Sequence, residues 1–514
     1  MNRILFTPIF LILIAASQLQ AQNSLIGKEE PYLTPTKTSS TQAGGFVVRK
    51  NYFLIRETEA YYCYLMNAYG YVGANGINNA IIEIYSKTDL KKTKSIPVYA
   101  PAGEYFFDAW GNNAKMVLFT KRPYALSGKD IKMYEVNISG KLTLLENFTN
   151  PEGDKTDNHY ELVWSQDKKT FAVYNIIFNN TEMPAQWNMY VKVYDRTLRM
   201  INSKTIPLTF KTGTTHGDYY PNFINSSERF IIKASVSNDG AFGCIWDDGG
   251  SLNFTGITKA GDIYLQPISN IAPLNYLKFA VSFNAANEFN VVCLTAYYYT
   301  HEKFKTEEVN KTKMIYYWRL NEQGLLTKET KIKVTESAPE VNKNYLLNPA
   351  VTNIHLYCCD TANFIIGERI KTGVTTDNYG IIFCVSTNNN GEVNWARSIA
   401  KNQKDKKVAD PNLNTPFAGY NFYVYQNSVY FIYTDITVNK FNSEAPLETK
   451  GVKSSNLFLT SLNADGDLKQ EGIFNYEALN IPFAPGQSVI DGEGYAICPF
   501  VGPNGSALGK FKLK

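Results

Sequence analysis

One hairpin pattern recurs along the chain: an apolar strand that ends near an aromatic residue, a short polar turn, and a second apolar strand. The clearest copies run from Glu161 to Tyr174 and from Pro221 to Ile232. With weaker copies included, the residues before successive turns are Leu54, Trp110, Trp164, Phe223, Phe283, Tyr357, Tyr423 and Val489. These residues stand 54 to 74 positions apart, which leaves room for several strands in each unit. A single small sheet cannot bury both of its faces, so such units must stack against one another.

The segment Trp164-Ser-Gln-Asp167 and the apolar run after it are similar to a pattern found in TolB-like β-propellers, Pro-x-Trp-Ser-x-Asp-Gly-x-x-apolar. The resemblance to TolB-like and WD40-like propellers is at the level of single blades. It implies an all-β propeller fold. It does not imply an activity, because propellers host many unrelated functions.

A second turn signal follows a further strand in several units. Its copies are Asn137-Ile-Ser-Gly140, Asn321-Glu-Gln-Gly324, Asn388-Asn-Asn-Gly391 and Asn463-Ala-Asp-Gly466. Asn and Gly tolerate the positive φ of a tight hairpin, so these segments predict the turn between the third and fourth strands of a blade. We therefore predict one propeller of about eight four-stranded blades. The alternative is seven blades, because a charged insertion around 301–313 lengthens one unit.

The eighth unit has only three predicted strands, near Val489, Ala496 and Phe511. Residues Gly45–Arg49 supply one more strand ahead of the first unit. We expect this N-terminal strand to complete the last blade and close the ring, because closure removes exposed sheet edges.

The N-terminus has a basic start at Arg3, an apolar run from Ile4 to Ala16, and a small residue at Ala21. These features are typical of a secretory signal that is cleaved after Ala21. We predict three segments: a signal peptide at 1–21, a linker at 22–45 and a propeller domain at 46–514. No cysteine precedes Cys63 to carry a lipid anchor. We therefore expect an exported protein, periplasmic or extracellular, without a transmembrane segment.

Composition favours strands and a large core, with 44% hydrophobic residues, 35 Tyr and 30 Phe. The net charge of +4 is close to balance and gives no argument for nucleic acid binding. The seven cysteines stand mostly in apolar runs, which favours free buried thiols, although an oxidising compartment would permit disulfides. We expect a monomer without a cofactor.

The sequence lacks the motifs of the common enzyme classes, including Gly-x-Ser-x-Gly, His-Glu-x-x-His, the phosphate loop and Cys-x-x-Cys. We therefore predict a binding or scaffold module with a protein or glycan partner on one rim of the propeller. The alternative is a hydrolase or lyase that acts on a polysaccharide or a peptide at the channel mouth.

The candidate ligand site lies where the innermost strands begin, at one mouth of the central channel. Its predicted residues are Glu104, Asp157, His159, Glu161, His216, Asp218 and His355. Histidines beside carboxylates could hold a metal or act as acid and base. Channel mouths are also wet and polar in any propeller, so we assign no catalytic role and no metal. Aromatic residues at predicted loops could form a sugar- or protein-binding face, although packing between blades is their commoner role: Tyr219, Tyr220, Trp246, Tyr297, Tyr298, Tyr299 and Trp395.

Overall fold

The structure is a computed structural model of the chain. It describes residues 49–513 except for these segments: 70–78, 113–114, 122–130, 149–159, 180–185, 209–230, 248–251, 269–276, 296–313, 334–350, 373–375, 402, 407–418, 437–446, 449–454, 476–485, 487, 492 and 503–504. The signal peptide, the linker and nearly all of the Gly45–Arg49 strand predicted from the sequence lie outside the described residues.

The described chain forms eight sheets, and the first four each contain four antiparallel strands. Blade 1 consists of β1 (Arg49–Glu57), β2 (Tyr61–Tyr69), β3 (Asn79–Ser86) and β4 (Lys92–Tyr99). Blade 2 consists of β5 (Tyr105–Gly111), β6 (Met116–Lys121), β7 (Ile131–Val136) and β8 (Leu142–Phe148). Blade 3 consists of β9 (Glu161–Trp164), β10 (Phe171–Asn179), β11 (Gln186–Tyr194) and β12 (Met200–Leu208). Blade 4 consists of β13 (Ile231–Val236), β14 (Phe242–Asp247), β15 (Leu252–Ile257) and β16 (Ile263–Ile268).

The remaining four blades have the same antiparallel strand order, except that blade 6 has two extra strands and blade 8 has only three strands. Blade 5 consists of β17 (Leu277–Phe283), β18 (Phe289–Thr295), β19 (Met314–Leu320) and β20 (Leu326–Lys333). Blade 6 consists of β21 (Val351–Cys358), β22 (Asn363–Thr372), β23 (Thr376–Thr387) and β24 (Val393–Ile399), extended by β25 (Gln403–Lys406) and β28 (Leu447–Glu448). Blade 7 consists of β26 (Tyr420–Tyr425), β27 (Ser428–Ile436), β29 (Ser455–Leu462) and β30 (Leu468–Asn475). Blade 8 has three strands, β31 (Val489–Ile490), β32 (Tyr495–Gly502) and β33 (Gly505–Lys512).

Burial along the strands shows which strand of a blade is outermost. Every residue of β15, a third strand, is buried, whereas the fourth strands β4 and β16 alternate and are largely exposed. The first strands of neighbouring blades contact one another, as β1 contacts β5 and β17 contacts β21. The first strands therefore surround the axis and the fourth strands form the outer wall.

Apolar side chains pack between the blades in eight separate clusters, one at each interface around the ring. The cluster that closes the ring joins Tyr62 and Tyr64 of blade 1 to Ile497 and Leu508 of blade 8. Every blade thus shares a core with two neighbours, which is why a four-stranded unit can be stable here.

A group of polar contacts accompanies the closing cluster, and we call it the closing clasp: Glu57, Tyr62, Lys87, Asp491, Glu493 and Lys510. The Tyr62 hydroxyl donates a hydrogen bond to Asp491 Oδ2 at 2.6 Å, and Lys510 Nζ lies 3.5 Å from the same oxygen. Lys87 bridges Glu57 of blade 1 at 2.6 Å and Glu493 of blade 8 at 3.3 Å. The first and last blades are therefore joined by side chains as well as by their apolar faces.

These results confirm the prediction of eight blades rather than seven, and the three predicted strands of the last blade are present. Completion of that blade by the N-terminal strand stays a prediction. The Asn-x-x-Gly segments all lie between third and fourth strands, as predicted. In blade 4 the hairpin was predicted too early, because Ile231 and Ile232 begin the first strand and the turn is Ser237-Asn-Asp-Gly240. The segment Asn225-Ser-Ser-Glu is polar and lies between apolar residues, as the observed turn at Ser237-Asn-Asp-Gly240 does. The local sequence therefore could not show which of the two segments forms the turn.

The two faces of the ring differ in the length of their connections. Turns from first to second strand and from third to fourth strand share one face, which we call the turn face, and they are short. In one of them Asn388 Oδ1 accepts hydrogen bonds from the N–H groups of Asn390 (2.9 Å) and Glu392 (3.0 Å). The longest connections join strand ends at the opposite face, which we call the long-connection face: 209–230, 296–313, 334–350, 400–419 and 437–454.

Candidate functional site

Glu104 stands immediately before the inner strand β5, and its carboxylate is buried with 3% of the residue exposed. Lys132 forms an ion pair with it, Thr120 Oγ1 donates a hydrogen bond at 2.7 Å, and Tyr134 donates another at 3.2 Å. All three partners belong to blade 2. This carboxylate therefore joins the ends of three strands of its own blade and is fully engaged in the described structure.

Glu161 is the first residue of β9, and it is half-buried opposite Tyr174 of β10. Its charge contributes to the raised pKa of the Tyr174 phenol, after the larger effect of burial. The other predicted residues of the inner-strand starts lie outside the described residues: Asp157, His159, His216 and Asp218. The grouping of all seven residues stays a prediction.

His355 lies in the inner strand β21, and water reaches its side chain. Surrounding protein nevertheless lowers the pKa of the imidazole to about 4, with a smaller contribution from the positive charge of Lys233. Both observations fit an inner-strand side chain that solvent can reach while protein surrounds it in most directions. The imidazole is therefore uncharged at neutral pH.

Aromatic rings from blade 7 flank this imidazole. Its ring centroid lies 5.2 Å from that of Phe422 and 6.4 Å from that of Tyr420, both on β26. Lys233 comes from β13 of blade 4, two blades away around the ring, and its side chain is exposed. Rings of blade 7 therefore contact His355, and the charge of a lysine in blade 4 acts on it.

Gln166 lies in the turn after β9 and contacts blades 5 and 6. Its Nε2 donates to the Cys358 carbonyl at 2.9 Å, and its Oε1 accepts from the Cys358 N–H at 3.2 Å. The same oxygen accepts from Ser282 Oγ at 3.1 Å. One amide from blade 3 therefore bridges to the inner strands of blades 5 and 6, at the turn face of the channel.

A second buried polar group lies between blades 6 and 7. Glu368 and Lys401 form an ion pair, with 1% and 0% of their side chains exposed. Burial raises the pKa of Glu368, and the positive charge of Lys401 opposes that effect. Gln403 donates to Thr434 Oγ1 at 2.6 Å and accepts from the Gly419 N–H at 3.1 Å, so this group fastens the connection between the two blades.

The residues that the structure describes include no cluster of three His, Cys, Asp or Glu side chains able to hold a metal ion. All seven cysteines are free thiols, as the sequence favoured. Six of them are buried, and Cys359 is half-buried. Burial raises the pKa of the Cys63 thiol to about 11, so this thiol is protonated at neutral pH.

Two of the aromatic residues considered for a sugar- or protein-binding face lie among the described residues, and both pack between neighbouring blades. Trp246 belongs to the cluster between blades 3 and 4, and Trp395 packs between blades 6 and 7 while donating to the Ala464 carbonyl at 2.8 Å. They fill blade interfaces, which was the commoner of the two roles considered. Tyr219, Tyr220 and Tyr297–Tyr299 lie outside the described residues.

Sequence reasoning missed Tyr420 and Phe422, whose rings contact His355, and Lys233, whose charge acts on it. It also missed Gln166, which bridges three blades. Each is near the channel because of contacts between distant blades, and no local motif marks such a position. The one usable signal was the alignment of inner strands, which places β13, β21 and β26 around one axis.

No protein-family model matches the chain, and no curated protein matches it either. Among solved structures, it is similar to the WD40 domain of SCAP from fission yeast, at 7% identity and a TM-score of 0.36, over 95% of this chain and 98% of that one. It is also similar to polysaccharide lyase Uly1, at 10% identity and a TM-score of 0.35, over 96% and 98% of the two chains. A third structure is the polysaccharide lyase PL25 ulvan lyase, at 9% identity and a TM-score of 0.30, over 84% and 81%.

These scores are too low to carry an argument about function. The propeller is defined by the strand pairing and blade interfaces of this chain itself. Within the described part of the chain, we find no helix with the length and hydropathy needed to cross a bilayer.

Proposed function

We propose that the protein is an exported binding or scaffold module that holds a protein or glycan partner on its long-connection face. The observation that carries this proposal is the asymmetry of the two faces. Short hydrogen-bonded turns occupy one face, and the longest connections all join strands at the other. Binding residues commonly lie on long connections that a rigid scaffold positions.

The proposal is tested with a glycan array and with pull-downs from cell-envelope extract. Replacing 209–230 or 296–313 by a short Gly-Ser linker should abolish binding of the partner that the wild type retains. The matched controls are Lys141→Glu and Lys259→Glu, which change exposed residues of the turn face. Loss of binding in the controls alone would refute the choice of face.

Export is part of the same proposal, and the basic, apolar and small residues of 1–21 support it. Processing after Ala21 predicts that the exported protein begins at Gln22, which N-terminal sequencing can read.

A hydrolase or lyase acting on a polysaccharide or peptide is a second candidate, supported by the uncharged, solvent-accessible imidazole of His355 on an inner strand. An uncharged imidazole can accept a proton from a substrate. Turnover of a polysaccharide or peptide by wild type but not by His355→Gln would support this candidate. Equal turnover by both proteins would remove His355 from it.

A further inference from the structure

Blade 8 leaves one strand edge uncovered in the described structure. Blades 1 to 7 each contain a fourth strand, whereas blade 8 ends at β33, whose outer edge pairs with no described strand. An open edge presents unpaired N–H and C=O groups, so proteins cover it or protect it with proline or charge. β33 contains no proline, and its first five residues carry no charge. Its outer edge therefore needs a covering strand.

On blade 1, the side chains that face this open place are buried. Tyr85 of β3 is 1% exposed and belongs to the closing cluster, and Glu83 on the same side of the strand is 2% exposed. In blade 3 the residue at the place of Tyr85 is Tyr194, since each tyrosine precedes the residue that begins its turn. The ring of Tyr194 packs against Phe148 of β8, the fourth strand of the preceding blade, with centroids 5.8 Å apart. A fourth strand of blade 8 would cover Tyr85 in the same way.

Two fourth strands carry a sequence signature that the chain repeats ahead of blade 1. In β4 and β12 it is Lys-x-x-Pro followed by an apolar residue, as Lys94-Ser-Ile-Pro97-Val98 and Lys204-Thr-Ile-Pro207-Leu208. In both strands the lysine and the proline are exposed and the residue after the proline is buried. Proline cannot donate to a ladder, so it suits an outer edge. Lys-x-x-Pro occurs at one other place in the chain, Lys28-Glu-Glu-Pro31, and Tyr32 follows it.

The residue before the proline differs in this third copy. It is a buried isoleucine in β4 and β12, but it is Glu30 in the copy. The fourth strand β16 shows that a polar residue is tolerated there, because half-buried Gln266 precedes Pro267 and buried Ile268 follows it. The difference therefore does not exclude the copy from a fourth-strand position.

The chain between this copy and β1 is long enough for the connection. Fourth strands end at the face where the next first strand begins, and five residues, 100–104, join β4 to β5. Fifteen residues, 34–48, lie between the copy and Arg49. The strand expected at Gly45–Arg49 cannot fill this place, because Arg49 already pairs with Tyr69 in the inner strand β1. The outer edge is three strand spacings, about 14 Å, from the inner strand, and four residues can span only that distance.

We propose that residues 26–33 form the fourth strand of blade 8, so that the outer edge of β33 is a docking site for the chain's own N-terminal segment. Tyr32 takes the place of the buried apolar residue after the proline and packs beside Tyr85 of blade 1. Leu33 takes the place of Tyr99, which is 63% exposed, and faces solvent. This closure does not depend on partner binding at the long-connection face.

The first test is hydrogen exchange, read by mass spectrometry, on the purified chain that begins at Gln22. Amides of 26–33 should exchange about tenfold more slowly, or slower still, than those of 36–44 in the connection, because ladder hydrogen bonds protect them. Equal exchange of the two segments overturns the proposal. Protection of β33 without protection of 26–33 also overturns it, and if that protection grows with protein concentration, a second copy covers the edge instead.

Two neighbouring substitutions test which side of the strand faces blade 1. Tyr32→Asp places a charge between the blades and should speed exchange in 26–33 and β33 about tenfold or more, while blades 3 to 5 keep their protection. Leu33→Asp is the matched control, because the equivalent position in β4 is exposed, and it should change exchange little. An equal or larger effect of Leu33→Asp refutes the alignment with β4. No effect of either variant refutes the pairing.

Discussion

At the scale of single residues, His355 shows how a propeller axis changes ordinary chemistry. The imidazole is in contact with water, yet surrounding protein and the charge of Lys233 make its protonated form unfavourable. Protonation requires a second positive charge in a confined space, where solvent screens it less than at an open surface.

We expect an NMR titration of the histidine ring signals to give His355 a midpoint near 4, with His355→Gln providing the assignment. Lys233→Gln should raise this midpoint but leave it below the ordinary value of 6.5, because burial is the larger cause. Lys141→Gln, on the turn face, should leave it unchanged. A wild-type midpoint at or above 6.5 would contradict the channel environment.

The lowered pKa of His355 also determines how this residue makes the stability of the fold depend on pH. The folded pKa lies below the unfolded one, so between about 6.5 and about 4 the unfolded chain binds the proton more readily. The contribution of His355 to stability is therefore present above pH 6.5 and is lost as the pH falls through this window.

Residue roles were only partly predictable from sequence. Glu104 stands just before an inner strand, but its ion pair with Lys132 and its hydrogen bond from Tyr134 depend on where the ends of the strands lie in space, which the sequence does not show. His355 was identified because histidine is rare in this chain. Lys233 was not identified, since one lysine among many has no distinguishing local pattern.

At the scale of elements, the turns between third and fourth strands hold neighbouring blades together. Gly466 has a φ of +79°, and a Cβ atom there would lie 2.6 Å from Trp395 Cγ of the preceding blade. Arg397 Nε of that blade donates to the Gly466 carbonyl at 2.8 Å. The glycine is therefore required both by its backbone conformation and by the close approach of the preceding blade.

Gly466→Ala should lower the free energy of unfolding by about 2–4 kcal/mol, from left-handed strain together with overpacking against Trp395. Gly103→Ala is the matched control, because Gly103 has a φ of +78° but nothing within 4 Å of the added Cβ. Its loss should be about 1 kcal/mol, from backbone strain alone. Denaturant unfolding of both variants checks the difference, and equal losses would mean that the contact with Trp395 contributes nothing.

Elements were predictable where the signal was local. The Asn-x-x-Gly turns were identified because positive φ at the glycine restricts the residue type there. The pairing of β25 with β23 and β28 was not predicted, since it joins a connection between blades to a connection within blade 7. Such pairing depends on the arrangement of blades and leaves no periodic pattern in two to four residues.

At the scale of the whole molecule, the weakest junction should be the one between the last and first blades. Blade 8 has one strand fewer than the others in the described structure, and the closing clasp supplies part of its attachment. The carboxylate of Asp491 is fully buried in that clasp, so its partners Tyr62 and Lys510 compensate for its removal from water.

Lys510→Glu should open this junction locally, because it places a third carboxylate beside Asp491 and Glu493. Hydrogen exchange should become about tenfold faster or more in β2 and in β31–β33, while blades 3 to 5 keep their protection. The control is Lys192→Glu, which breaks a more exposed pair with Glu146 between blades 2 and 3. Acceleration spread evenly over all blades, or none, would argue against a distinct junction.

The bridge made by Gln166 bonds blade 3 to blades 5 and 6, past the position of blade 4. Separation of blade 3 from blade 4 alone would therefore not release blade 3 from the later part of the ring, and the two halves of the molecule should lose their structure together.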